Sequence, residues 1–121
     1  YKFTLQMPSY IAYITYGTNR GKREEIYKAY TTRASQNGKL IEQILKLKDE
    51  KAKILGFDNY SQYSLQTKTA NDTNEVLNFL EELVKYAKNK AKQEILQVQE
   101  LAKKDGINEL KSYDLAYYSE K

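Results

Sequence analysis

"EVLNFLEELVKYAKNKAKQEILQVQELAKKDG" (75–106) is one unbroken helical pattern. Val76, Leu80, Leu83, Ala87, Ala91, Ile95, Val98 and Ala102 recur every three or four residues. They therefore share one stripe of a helix with 3.6 residues per turn. Asp72, with Glu75 three positions on, makes a capping arrangement for its start. Gly106 supplies the stop. About eight turns at 1.5 Å per residue give a rod about 45 Å long. A globule of this chain length has a radius of gyration of only about 14 Å by the usual size scaling. Such a helix either projects or lies against something outside these residues.

Working outward, most other segments are helical too. "SYIAYITYG" (9–17) sets Tyr10, Tyr13, Ile14 and Gly17 on one face. "NRGKREEIYKAYTTRAS" (19–35) repeats Arg23, Ile26, Tyr27, Tyr30 and Ala34 at helical spacing, with Glu24 and Lys28 in the favourable i,i+4 order. "SQNGK" (35–39) reads as a loop. Leu40, Ile41, Ile44, Leu45, Leu47, Ala52 and Leu55 mark a third helix, ended by Gly56, with Phe57 packing back onto it. Asn59 caps a fourth, short helix through "YSQYSLQTKTA" (60–70), and "NELKSYDLAYYSE" (108–120) is a last short one. "YKFTLQM" (1–7) alternates as a short strand that Pro8 ends. A lone strand is not stable by itself, so it calls for a partner outside these residues. The expectation is an all-α chain of five or six helices, one of them long, with a possible orphan strand at the N-terminus. The chain starts at Tyr1 without Met and stops at Lys121 without a helix-end signal, so it reads as a piece of a longer protein.

Composition narrows the function. With 121 residues, 30% charged and 40% hydrophobic, the chain is of globular type and forms one domain at most. It has no Cys, which rules out disulfides and thiolate metal sites and fits a reducing, cytoplasmic setting. It has no His, so a zinc site would have to be built from carboxylates alone, and the commonest general acid–base at neutral pH is missing. No Gly-rich phosphate loop, G-x-S-x-G or H-E-x-x-H occurs. No apolar run is long enough to span a bilayer, and no signal peptide is visible. Net charge is +4, from 20 basic and 16 acidic residues. The densest basic run, "KYAKNKAK" (85–92), is flanked by Glu81, Glu82 and Glu94, the pattern of a solvated face rather than a nucleic-acid stripe.

Four stretches carry a family likeness. "PSYIAYITYGTNRGKREEIYKAYTTRAS" (8–35), "ILGFDNYSQYSLQTKTA" (54–70), "EVLNFLEELVKYAK" (75–88) and "SYDLAYYSEK" (112–121) occur in that order. Together they resemble the middle region of the M3 zinc metallopeptidases, the group of oligopeptidase A, peptidyl-dipeptidase Dcp and thimet oligopeptidase. The "SQNGKLIEQILKLK" connection (35–48) is shorter than that group's pattern.

The resemblance implies a neurolysin-like helical fold and, for the longer protein, hydrolysis of short peptides in a channel, with zinc held on an H-E-x-x-H helix downstream of the "AYYSEK" region. With no His here, none of the family's zinc ligands, its general-base Glu or its later Tyr and His residues can be carried over. Residues 1–121 are thus expected to be one helical segment upstream of the zinc-binding helix. They carry no catalytic, cofactor-binding or metal residue and are inactive alone. Zinc belongs to the longer enzyme. The expected partners are short peptides, the remainder of the protein and other copies of this chain through an exposed apolar patch, but neither nucleic acid nor a membrane. The alternative from another class is a self-standing helical interaction module using a tyrosine-rich face.

Within that frame the twelve tyrosines, Tyr117 and Tyr118 above all, could donate to an oxyanion. The plainer reading is that they fill helix interfaces. Glu24–Glu25 and Glu81–Glu82 point about 100° apart on a helix, so neither pair can act on one atom. Arg23 and Arg33 are candidates for pairing with acids or peptide termini, Arg33 as a structural ion-pair partner.

Overall fold

The computed structural model describes residues 2–121; Tyr1 lies outside the described residues. Six helices follow one another: α1 (Met7–Tyr16), α2 (Arg20–Thr31), α3 (Asn37–Ile54), α4 (Tyr60–Leu65), α5 (Thr73–Lys104) and α6 (Ser112–Glu120). The all-α reading holds, and the long helix runs for 32 residues. The orphan strand does not form: residues 2–6 are irregular, and α1 begins at Met7. Pro8 is the reason. Its fixed φ and missing N–H suit the first turn of a helix, so it opens α1 instead of merely closing what precedes it. The Thr4 N–H then donates to Ser9 Oγ at 3.0 Å, which folds the leading residues back on that first turn.

The residues gather into two compact units, Tyr1–Arg33 with Lys90–Lys121, and Ala34–Asn89. In the first, α1, α2 and α6 pack mutually. Tyr10 stacks on Tyr30 with centroids 3.9 Å apart, Phe3 leans on Tyr13 at 4.5 Å, and Ile14 and Tyr118 are buried. In the second, α3 packs on α4, with Phe57 edge-on to Tyr63 at 5.5 Å.

Helix boundaries follow local chemistry. Asn59 and Asn19 cap α4 and α2, each side-chain oxygen accepting a backbone N–H at 3.0 Å. At α5, Asp72 accepts from the Glu75 N–H at 2.9 Å, as the spacing predicts. The return arm lands one residue earlier: Glu75 Oε2 accepts from the Asn71 N–H at 2.7 Å. The ends of α3 and α5 use one device twice. "AKILGF" (52–57) and "AKKDGI" (102–107) both place Gly at a left-handed φ, +81° at Gly56 and +80° at Gly106. The Phe57 N–H returns to the Ala52 carbonyl at 2.9 Å and that of Ile107 to Ala102 at 3.0 Å. These are paired Schellman closures, and both alanines are fully buried beneath them.

The long helix departs from ordinary packing in one respect. Its stripe is regular, but Leu80, Leu83 and Ile95 remain about half exposed, and Leu77, Phe79 and Leu96 more so. The apolar face of α3 is similar at Leu40, Ile41, Ile44 and Leu47.

Open space surrounds Gly56, so a methyl group there meets nothing and only the backbone resists it. Gly56→Ala should cost about 1–2 kcal/mol, the penalty of a left-handed non-Gly residue. The readout is a lower urea midpoint at unchanged slope; an unchanged midpoint would refute the Schellman account.

Candidate functional site: a buried carboxylate between two arginines

Arginine on an apolar helical stripe needs a counter-charge if it is to be buried. Arg23 lies on such a stripe of α2 with Ile26 and Tyr27, and it is 1% exposed. Its counter-charge is Asp114, 0% exposed, in the first turn of α6. Arg23 Nη2 donates to Asp114 Oδ1 at 3.0 Å. The rest of the guanidinium is also spent: Nη1 donates to the Gly17 carbonyl at 2.8 Å and Nε to the Tyr113 carbonyl at 3.3 Å. Its carbon sits 4.1 Å from the centre of the Tyr117 ring. One side chain thus ties the end of α1, the body of α2 and the start of α6.

Arg20, one turn earlier on α2, reaches the same carboxylate. Its Nε donates to Oδ1 at 3.0 Å and its Nη2 to Oδ2 at 2.8 Å, the bidentate fork that guanidinium geometry favours. Asp114 also accepts from the Lys111 N–H at 3.1 Å, as the acid of a capping arrangement would. Burial pushes the Asp114 carboxyl up, but the hydrogen bonds from Arg20, the Lys111 N–H and Arg23 outweigh it, so the group sits below the usual carboxylate range. Among the described residues no buried side-chain nitrogen or oxygen lacks a partner.

The chemistry of this cluster is structural. A carboxylate locked by two guanidiniums and a backbone amide has no lone pair aimed at a substrate. Asp114 and Arg20 were not legible as partners, since 94 residues separate them. The available signal was Arg23 itself, a charge on an apolar face.

The tyrosines fall mostly as interface fillers. Tyr118 is buried, and its hydroxyl donates to Asp105 at 3.2 Å. Burial, followed by the Asp105 charge, pushes that hydroxyl up, so it is a poor oxyanion donor. Tyr117 lies under Arg23. Tyr16 and Tyr86 depart from the pattern and stay exposed. Lys121 pairs with Asp105. The adjacent carboxylates act apart: Glu24 pairs with Lys28 at 2.6 Å and Glu25 with Lys22 at 2.9 Å, while Glu81 and Glu82 are exposed.

Arg33 corrects an expectation. Among the described residues it has no carboxylate within 4.0 Å; its guanidinium lies 4.0 Å from the Tyr30 ring centre, and Nη1 donates to the Leu5 carbonyl at 3.4 Å. The acid nearest in sequence, Glu25, is already engaged by Lys22. The basic run 85–92 is exposed throughout, with Lys90 3.9 Å from Glu94.

Removing one partner of a buried pair strands the other charge. Asp114→Asn should therefore destabilise the chain by about 3–5 kcal/mol at neutral pH. A depressed carboxyl contributes stability that is complete above its unfolded value, about 3.9, and is lost as pH falls through the lower folded value. The gap between the parent sequence and Asp114→Asn in urea midpoint should therefore close on acidification below about pH 4. A gap that stays constant with pH would contradict the ion-pair account.

Comparison with known proteins places these helices. The family model described as Peptidase family M3 matches residues 13–121. Oligopeptidase A of Escherichia coli is 44% identical over 131 aligned positions, covering 100% of this chain and 19% of that protein. Oligopeptidase A of Haemophilus influenzae is 43% identical, with the same coverage. The probable cytosolic oligopeptidase A of Arabidopsis thaliana is 39% identical over 98% of this chain and 18% of its own length. The chain thus spans about a fifth of the relatives it matches. The 131 aligned positions exceed its 121 residues, so the E. coli relative carries insertions against it. With the model match running from Tyr13 to the last residue and the identity sustained along the whole chain, this protein belongs to peptidase family M3.

Proposed function

We propose that residues 1–121 form a helical scaffold segment of a longer, zinc-dependent oligopeptidase, ahead of its zinc-binding helix. In this reading the segment helps enclose short peptides while bond cleavage is carried out elsewhere in the protein. The observation that carries the reading is identity of 44% along all of this chain to an oligopeptidase A of which it covers only 19%. The surface supports it. Leu40, Ile41, Ile44 and Leu47 of α3 are each more than half exposed, which is consistent with that helix being built to be covered by neighbours. Residues 1–121 act as one segment in this account.

The side chains present do not fit a zinc site. The sequence has neither His nor Cys. Among the described residues no three of His, Cys, Asp or Glu cluster to hold a metal ion, and Asp114 is committed to arginines. No catalytic step is therefore assigned to this chain; zinc belongs to the remainder of the longer protein. No helix among the described residues is long and apolar enough to cross a membrane. One relative is named as cytosolic and another as chloroplastic or mitochondrial; we favour the cytosol, as for the first of these.

Hydrolysis of a quenched fluorogenic peptide tests the assignment. The full-length protein should cleave it and lose activity to EDTA, and this chain alone should not cleave it with or without added zinc. EDTA-sensitive turnover by the pure chain, or none by the full-length protein reloaded with zinc, would overturn the reading. The chain alone should also self-associate through its bare apolar faces in sedimentation velocity. A clean monomer at high concentration would count against those faces being interfaces.

A further inference from the structure

The chain has eight asparagines, and only Asn37 is followed by glycine. We propose that Asn37–Gly38 is a site of spontaneous side-chain deamidation, which places a new negative charge at the start of α3.

Four observations converge on this dipeptide. Asn37 and Gly38 are both exposed. Among the described residues the Asn37 carboxamide has no hydrogen-bond partner, unlike the Asn19 and Asn59 side chains, which cap helices. A Cβ built on Gly38 meets nothing within 4 Å, so the space beside its α-carbon is open. The start of α3 is also loosely tied. Its N-cap, Gln36, makes no side-chain cap bond. The fourth residues of α1, α2 and α4 close back to their N-cap carbonyls (Tyr10 to Gln6, Arg23 to Asn19, Tyr63 to Asn59), but Leu40 makes no such bond of good geometry to Gln36. The Asn37 N–H reaches only the Ala34 carbonyl, at 2.9 Å, and Ala34 itself holds a left-handed φ of 55°. The first turn can therefore open without breaking a cap.

In the open turn the Gly38 backbone nitrogen, having given up its proton, attacks Asn37 Cγ. A C–N bond forms, the carboxamide nitrogen leaves as ammonia with the proton returned to it, and a five-membered succinimide results. Water then opens the ring at either carbonyl. Opening at one carbonyl leaves aspartate and opening at the other leaves isoaspartate, with the main chain rerouted through the side-chain carbon. The net change is the consumption of one water and the release of one ammonia. The two products act oppositely on α3. Its first turn holds no acidic residue, so a carboxylate at position 37 would interact favourably with the positive end of the helix. The isoaspartate adds a backbone atom and cannot continue the helix.

The test is peptide mapping by mass spectrometry after incubating the chain in warm, mildly alkaline buffer made with heavy-oxygen water. Deamidation with label uptake should run at least an order of magnitude faster at Asn37 than at Asn89, which is also exposed. Gly38→Ala should slow it by a similar factor. Asn37→Asp, which mimics one product, should raise amide protection over the first turn of α3. Equal rates at Asn37 and Asn89, or a rate unmoved by Gly38→Ala, would overturn the site. Lowered protection in Asn37→Asp would overturn the charge effect.

Discussion

The first unit depends on one buried charge. Asp114 at the start of α6 is reached by Arg20 and Arg23 from α2. Arg23 extends the hold to the end of α1 through the Gly17 carbonyl. Apolar burial in this unit is slight, with Ile14, Ala102 and Tyr118 as its buried hydrophobic residues. A core that small fixes neither register nor angle by packing alone. Directional hydrogen bonds do so, because each has a narrow range of distance and angle. Aromatic rings then sheath the guanidiniums: Tyr117 against Arg23 and Tyr113 against Arg20. That sheath lowers the local dielectric and strengthens the pair it covers.

The second unit and the length of α5 present the opposite case. Their helices are well specified locally, by caps at Asn59 and Asp72 and by glycine closures at Gly56 and Gly106. Local signals make helices; they do not bury them. A regular apolar stripe left half exposed is what the proposed scaffold reading expects neighbours to cover. Membership of peptidase family M3, with only a fifth of the relatives' length represented, gives a physical reason for the mismatch between strong helices and a thin core.

Most of the fold was legible in the sequence because it rests on local rules. The 3.6-residue period found α5, and the asparagine and glycine signals placed its neighbours within a few residues. The misses have specific causes. Alternation in "YKFTLQM" suggested a strand, but seven residues of pattern with no strand to pair with carry little weight against Pro8 at a helix start. The Asp114 cluster escaped because it joins residues 94 and 91 positions apart, and no periodicity reports such a pairing. Arg33 escaped because an aromatic face and a carbonyl satisfied it as well as an acid would have. The absence of His was the most informative single fact about chemistry, since it motivates the proposal that bond cleavage is carried out elsewhere in a longer protein.

The central claim is that α3 and α5 are covered in the longer protein, while the Asp114 hub is complete in this chain. Native-state amide hydrogen exchange, compared between this chain and the full-length protein, tests it most directly. The account predicts similar protection of α2 and α6 in both, with α3 and the middle of α5 protected strongly only in the full-length protein. Equal protection of α3 and α5 in the two settings would contradict it.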